Sequence, residues 1–285
     1  MLEEPCGLTD FLPALGYMFQ TPLDGMREGM ERLMSGTRNV RRLLMALGFG
    51  VTASLPAFAD DVSPTGVVEL FTSQGCSSCP PADAALKRLV EEGKVVALSY
   101  HVDYWNYLGW QDTLGSKENT ARQYAYAKAL GRNGVYTPQA VINGRDHVNG
   151  SDLAGIKTRV ETMAAGGEGL TVKIGARIGR EEIDIDVGAG EGKADVVVVY
   201  FNRRQTVDIE KGENSGKRVD YWHAVRDVQT IGMWNGKASK FVLPASVLKQ
   251  GESGGCAILL QTVEDGQKPR AILGATTILA GDTAN

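Results

Sequence analysis

Cysteine is scarce: 4 among 285 residues, too few for a scaffold held by disulfides. A basic excess is absent. The 30 Lys and Arg are outnumbered by 34 Asp and Glu, giving a net charge of −4 and a pI near 5.5, so no nucleic-acid partner is expected. No apolar run reaches the ~18 residues of a membrane-spanning helix, and no stable membrane anchor is expected. Internal repeats and low-complexity tracts are missing as well. What remains is ordinary globular composition, 43% hydrophobic and 22% charged, with length for one large or two medium domains.

The N-terminal region reads as a late leader. Residues 34–59 combine a basic start (Arg38, Arg41, Arg42), a short apolar stretch at 43–51 and a small-x-small end at Ala57-Phe58-Ala59. This is the pattern of a signal peptide cleaved near Ala59, placing the mature chain in the periplasm or outside the cell. The competing reading is an uncleaved amphipathic helix. No cysteine follows the cleavage site, so a lipoprotein is not expected. Residues 1–33 carry 6 acids and 2 arginines, the wrong sign for a leader, and are expected to be a start-site artefact or a disordered extension. Cys6 goes with them, leaving Cys76, Cys79 and Cys256.

Beyond the leader, hydrophobic periodicity predicts a strand at 67–72, a helix at 80–92 and a strand at 95–102. A helix at 116–130 follows, capped by Ser116 and stopped by Gly131. A short strand at 140–142 leads into an Asn143-Gly144 hairpin turn, a return at 147–148 and a helix from Ser151 to about 165. After Gly166-Gly167 the period changes. Alternating or β-branched runs at 170–174, 182–187, 195–201, 205–209, 219–228, 240–243, 256–263 and 270–279 predict short strands. Their density points to a sandwich or barrel. The expected organisation is therefore an α/β domain at 60–166 and an all-β, sandwich-like domain at 167–285.

Gly75-Cys76-Ser-Ser-Cys79-Pro80-Pro81 is the sharpest chemical signal. A two-residue spacer lets both sulfurs meet at a helix N-terminus, where unpaired N–H groups and the positive helix end favour a thiolate. Cys76 is then the nucleophile and Cys79 the resolving thiol. Zinc uses the same spacing, but Cys256 and the 3 histidines supply no second ligand pair. An inert structural disulfide is the plain alternative. Thr137-Pro138 stands directly before the short hairpin and final helix, an order that matches the thioredoxin fold.

Residues 66–165 thus resemble a thioredoxin-like domain. More narrowly, the chain resembles a domain-of-unknown-function family of secreted bacterial proteins. The resemblance rests on the run from Phe71 through the Cys pair to Asp83, on His101-Val-Asp-Tyr-Trp105, Leu108-Gly-Trp110, Arg122-Gln123 and Tyr136-Thr-Pro-Gln139, and on Gly212-Glu-Asn-Ser-Gly216. It implies a cis-proline at Pro138 facing the Cys pair and a Thr137 backbone that bonds an extended substrate. Thioredoxins also bury an acid beneath the Cys pair. Glu69 is the candidate for that role, with a surface ion pair as its alternative.

Weaker features surround these. His101, Trp105 and Trp110 are candidate substrate-binding groups at a rim beside the Cys pair. His101 could equally complete a copper site with Cys76 and Cys79, or simply be a core residue. The glycines at 188–192 and 212–216 lack the context of phosphate loops and read as turns. Cys256 opens an apolar strand, the setting of a buried, inert thiol, with a regulatory disulfide as the alternative. The expected function is exported thiol–disulfide exchange on a protein or small thiol substrate, needing no cofactor beyond the Cys76–Cys79 disulfide. The alternatives are copper binding or delivery, and a non-catalytic binding module clamped by a structural disulfide.

Overall fold

The computed structural model describes residues 63–249, 254–266 and 268–280. The leader at 34–59, the extension at 1–33, Cys6 and the cleavage site at Ala59 lie outside the described residues.

The elements run β1 (Val67–Thr72), α1 (Pro80–Glu92), β2 (Val96–His101), α2 (Lys117–Ala129), β3 (Gln139–Ile142), β4 (Asp146–Asn149), α3 (Leu153–Ala165), β5 (Ile174–Ile178), β6 (Glu182–Val187), β7 (Ala194–Asp208), β8 (Arg218–Trp234), β9 (Ser239–Pro244), β10 (Gly254–Glu264) and β11 (Lys268–Leu279), with short 3-10 turns at Asn106–Leu108 and Ala245–Lys249. Several boundaries follow from local chemistry. Ser116 accepts from Asn119 N at 3.0 Å and caps α2. Asp152, rather than Ser151, caps α3 by accepting from Gly155 N at 2.9 Å. Asn143 and Gly144 take φ of 50° and 63°, as a tight hairpin turn between β3 and β4 requires.

The expected fold class is corrected by the sheet. An α/β thioredoxin-like domain followed by a separate sandwich would give two sheets divided near residue 166. Instead one mixed sheet of eight strands runs in the order β11-β10-β7-β8-β2-β1-β3-β4, and a three-stranded sheet, β5-β6-β9, packs beside it. The join lies between β2 and β8. They meet in parallel at Ser99 and Ala224, Ser99 Oγ donates to the Trp222 carbonyl at 3.0 Å, and His223 Nδ1 lies 2.8 Å from the Ala97 carbonyl. Three α-helices against eleven strands leave the described chain mainly β.

The packing explains the fusion. Alternate residues of β1 face opposite sides. Val68 and Leu70 join Ala82, Leu86 and Leu89 of α1 and Ile156 and Val160 of α3. Val67 and Phe71 join Tyr100, Tyr126, Val197, Val199, Phe201 and Leu259. That second core draws on strands from both halves of the chain, so a shared core joins the one that each half keeps for itself. On the far side of β7, Val196 and Val198 pack with Ile183, Ile185 and Trp234 against the small sheet. The unbroken Val196–Val199 run is therefore buried on both faces, as a central strand demands.

Candidate functional site

Cys76 and Cys79 form a disulfide with Cα atoms 5.4 Å apart. Cys79 is the N-cap of α1, and Pro80 and Pro81 fill its first two positions. The prolines bring no N–H, and the next two donors, Ala82 N and Asp83 N, both go to the Cys79 carbonyl at 2.8 and 3.1 Å. The helix end therefore offers its dipole but not the cluster of unpaired N–H groups expected from the sequence. A hydroxyl stands beside the outer sulfur: Ser78 Oγ lies 3.4 Å from Cys76 Sγ.

A buried acid stands one helical turn beyond Cys79. Asp83 is 5% exposed and accepts from Thr72 Oγ1 at 2.8 Å, while its Oδ2 has no partner among the described residues. Burial pushes its carboxyl up to about 7, against the pull of His101 and the Thr72 hydrogen bond. His101 ends β2 and is fully buried. Its Nδ1 lies 2.9 Å from Asp112 Oδ2, Tyr221 meets its ring edge-on with centroids 4.6 Å apart, and its Nε2 has no partner among the described residues. Burial opposes its charge, but the Asp112 carboxylate, helped by Asp83, lifts it above the ordinary imidazole value. Burial works against the Asp112 charge too; His101 and the N–H groups of Gln74 and Leu114 outweigh it and hold the carboxyl low.

Gln74, just before the Cys pair, ties this cluster to the aromatics. Its N–H donates to Asp112 Oδ2 at 2.8 Å, and its Oε1 accepts from Trp110 Nε1 at 2.8 Å. Trp105 Nε1 donates to Thr137 Oγ1 at 2.7 Å, and a Cβ on Gly75 would sit 3.0 Å from Trp105 Cβ. The Thr137–Pro138 peptide bond is cis. Gly150 sits between Pro138 and the first turn of α1: a Cβ on it would lie 3.2 Å from Pro138 Cβ and 3.3 Å from Ala82 Cβ. Cys76, Cys79, Thr137, Pro138, Trp105 and Trp110 are thus one neighbourhood. His101 lies beneath it, where a substrate on the surface does not touch it.

Glu69 is elsewhere. It shares the α2 side of β1 with Val67 and Phe71, where Arg122 Nε donates to its Oε1 at 2.9 Å, Tyr126 donates to its Oε2, and Gln261 accepts from Arg122 at 2.8 Å. The acid on the α1 side is Asp83. Its signal was present in the sequence: position 83 lies one turn after Cys79, on the helix face of Ala82 and Leu86. Gln74, Asp112 and Asn214 are further site residues that sequence reasoning missed. Asn214 donates from Nδ2 to the carbonyls of Gln74 and Cys76, each at 2.9 Å. Its run at 212–216 was noticed, but nothing local tied it to a cysteine 138 positions away.

Cys256 is buried and forms no disulfide among the described residues, its thiol pushed up to about 12 by burial. No group of three or more His, Cys, Asp or Glu among the described residues is arranged to hold a metal ion. A cavity of about 600 Å³ opens between α2 and strands β7, β8, β10 and β11, lined by Arg122, Lys128 and Val263. It includes neither cysteine.

A family model described as protein of unknown function, DUF1223, matches residues 67–261. The X-ray crystal structure of an Agrobacterium tumefaciens protein, a structural-genomics target, is 56% identical, covering 78% of this chain and 97% of that chain with a TM-score of 0.72. HBP35 of Porphyromonas gingivalis is 12% identical, covering 78% of this chain and 76% of its own with a TM-score of 0.56; that likeness shows the fold alone. No curated protein matches the chain.

Proposed function

Because the chain belongs to the DUF1223 family, whose function is unknown, we propose an activity from the site itself: thiol–disulfide exchange at Cys76–Cys79. The observation that carries this reading is the disulfide at the head of α1 with buried Asp83 one turn further along.

In the reducing direction, a partner thiolate attacks Cys76 Sγ. A partner–Cys76 bond forms, the Cys76–Cys79 bond breaks, and the electron pair leaves on Cys79 Sγ. Asp83, protonated for part of the time near neutral pH, supplies a proton to that leaving thiolate. A second partner thiolate then displaces Cys76, and the partner departs as a disulfide carrying two fewer electrons. The reverse sequence oxidises a partner dithiol. Attack is assigned to Cys76 because it precedes the helix and is followed by the exposed Ser77 and Ser78, whereas Cys79 is the N-cap of α1; both sulfurs are buried in the closed state. Ser78 Oγ is placed to donate to a Cys76 thiolate.

Export belongs to the same reading. Disulfides persist in oxidising compartments, and the basic and apolar segments of 34–59 are leader-like. The substrate is a protein or small thiol. The test is reduction of a protein disulfide by dithiothreitol with and without the chain. Acceleration by the parent and none by Cys76→Ser is expected; equal rates for the two would sink the reading.

A further inference from the structure

The disulfide is closed over. Cys76 is 2% and Cys79 0% exposed, although Ser77 and Ser78 between them face solvent. Part of the cover comes from the loop 209–217 that joins β7 to β8. Asn214, 1% exposed, gives both amide hydrogens to the carbonyls of Gln74 and Cys76. Its own Oδ1 accepts from Lys217 Nζ at 2.7 Å. Glu213 Oε2 accepts the N–H of Ser77 at 3.3 Å. Gly212, at φ +79°, passes so near Trp110 that a Cβ there would lie 3.2 Å from Trp110 Cβ. The loop keeps its own shape through Gly216 N to Ile209 O at 2.7 Å and Ile209 N to Lys217 O at 2.9 Å. It is a formed turn held at the end of a long hairpin.

The loop presents amide donors to two backbone carbonyls beside Cys76 and an acceptor to one backbone N–H. A stretch of polypeptide carries the same complement, an N–H and a C=O at nearly every residue; a small thiol without amides does not. We infer that loop 209–217 is a strap occupying the place of a polypeptide substrate, that it lifts before exchange, and that the preferred substrate is a cysteine within an extended peptide. This rests on the exchange reading above. The chemistry is unchanged: the strap breaks no covalent bond and carries no electrons, and it governs whether a partner thiolate reaches Cys76 Sγ.

The experiment is stopped-flow reduction of the oxidised chain by dithiothreitol, each turnover moving two electrons and two protons and leaving the reductant as its cyclic disulfide. Losing the two Asn214 hydrogen bonds should speed reduction about tenfold in Asn214→Ala, with a smaller rise in Glu213→Ala. Lys217→Ala, an exposed change that releases Asn214 Oδ1, gives the same reading if Asn214→Ala fails to fold. In parallel, the reduced chain is oxidised by a cysteine-peptide disulfide and by hydroxyethyl disulfide, with a kcat/KM at least about tenfold higher expected for the peptide. Unchanged rates in the variants, with a pair that is still reducible, overturn the strap alone. Equal kcat/KM values overturn the substrate class. A pair that stays oxidised in every variant overturns the exchange reading and the strap with it.

Discussion

Thr72, the last residue of β1, donates its hydroxyl to Asp83 Oδ1 across 2.8 Å, while Asp83 Oδ2 is buried without a partner among the described residues. That uneven support, in a buried position, makes ionisation of Asp83 costly. Its carboxyl is pushed up to about 7 by burial. Between about pH 4 and 7 the folded chain therefore binds more protons at this position than the unfolded chain does. The stability tied to Asp83 is full at low pH and is lost as pH rises through 7.

Asp83→Asn removes this titration. Relative to the parent, the variant should gain on the order of 4 kcal/mol between pH 4 and pH 8, read by urea unfolding at each pH. A difference that stays flat across the window would show that Asp83 is not the perturbed acid.

Glu69 and Arg122 are expected to matter for stability alone. Arg122→Met leaves the buried Glu69 carboxylate unpaired and should cost roughly 3–5 kcal/mol. The reduction potential of the Cys pair should not move. A shifted potential at full stability would return Glu69 to the chemistry.

Cys79→Ser keeps the outer sulfur and removes the resolving one. With a cysteine-peptide disulfide it should accumulate a one-to-one adduct, visible by mass spectrometry and released by dithiothreitol. Cys76→Ser should form none, because Cys79 is the N-cap of α1, followed directly by Pro80 and Pro81, and lies on the inner side of the exposed Ser77 and Ser78. An adduct on Cys79 would reverse the two roles.

Gly144→Ala tests the joint between the halves. Gly144 has φ +63°, and a Cβ there would stand 2.1 Å from the Arg270 carbonyl oxygen on β11. Both the conformation and the clash oppose a side chain, so a loss of about 2 kcal/mol or more is expected. A neutral effect in thermal unfolding would mean that the hairpin turn does not bear on β11 as described.

Much of the local structure was legible. The apolar spacing of 80–92, the Ser116 cap and the Asn143-Gly144 turn each have a short-range cause, and each element stands where its cause put it. The single large sheet was not legible. β7 runs through Arg203 and Arg204 to Asp208, polar residues that read as a break between two short strands. β8 extends past Val228 to Trp234 through Gln229, Thr230 and Gly232, which interrupt the apolar pattern. The meeting of β2 with β8 at Ser99 and Ala224 spans residues far apart in the chain and leaves no periodic trace. At the site, the cysteines announced themselves by spacing. Asn214 and Asp112 did not, since their roles exist only once the β7–β8 loop and the 106–112 turn close on Gln74.

The most direct test of exchange at Cys76–Cys79 is the reduction potential of that pair, by equilibration of the chain with glutathione and dithiothreitol buffers. A value between about −120 and −270 mV is expected, the range of pairs that turn over. A value below about −300 mV would mark a structural bond and contradict the proposed activity.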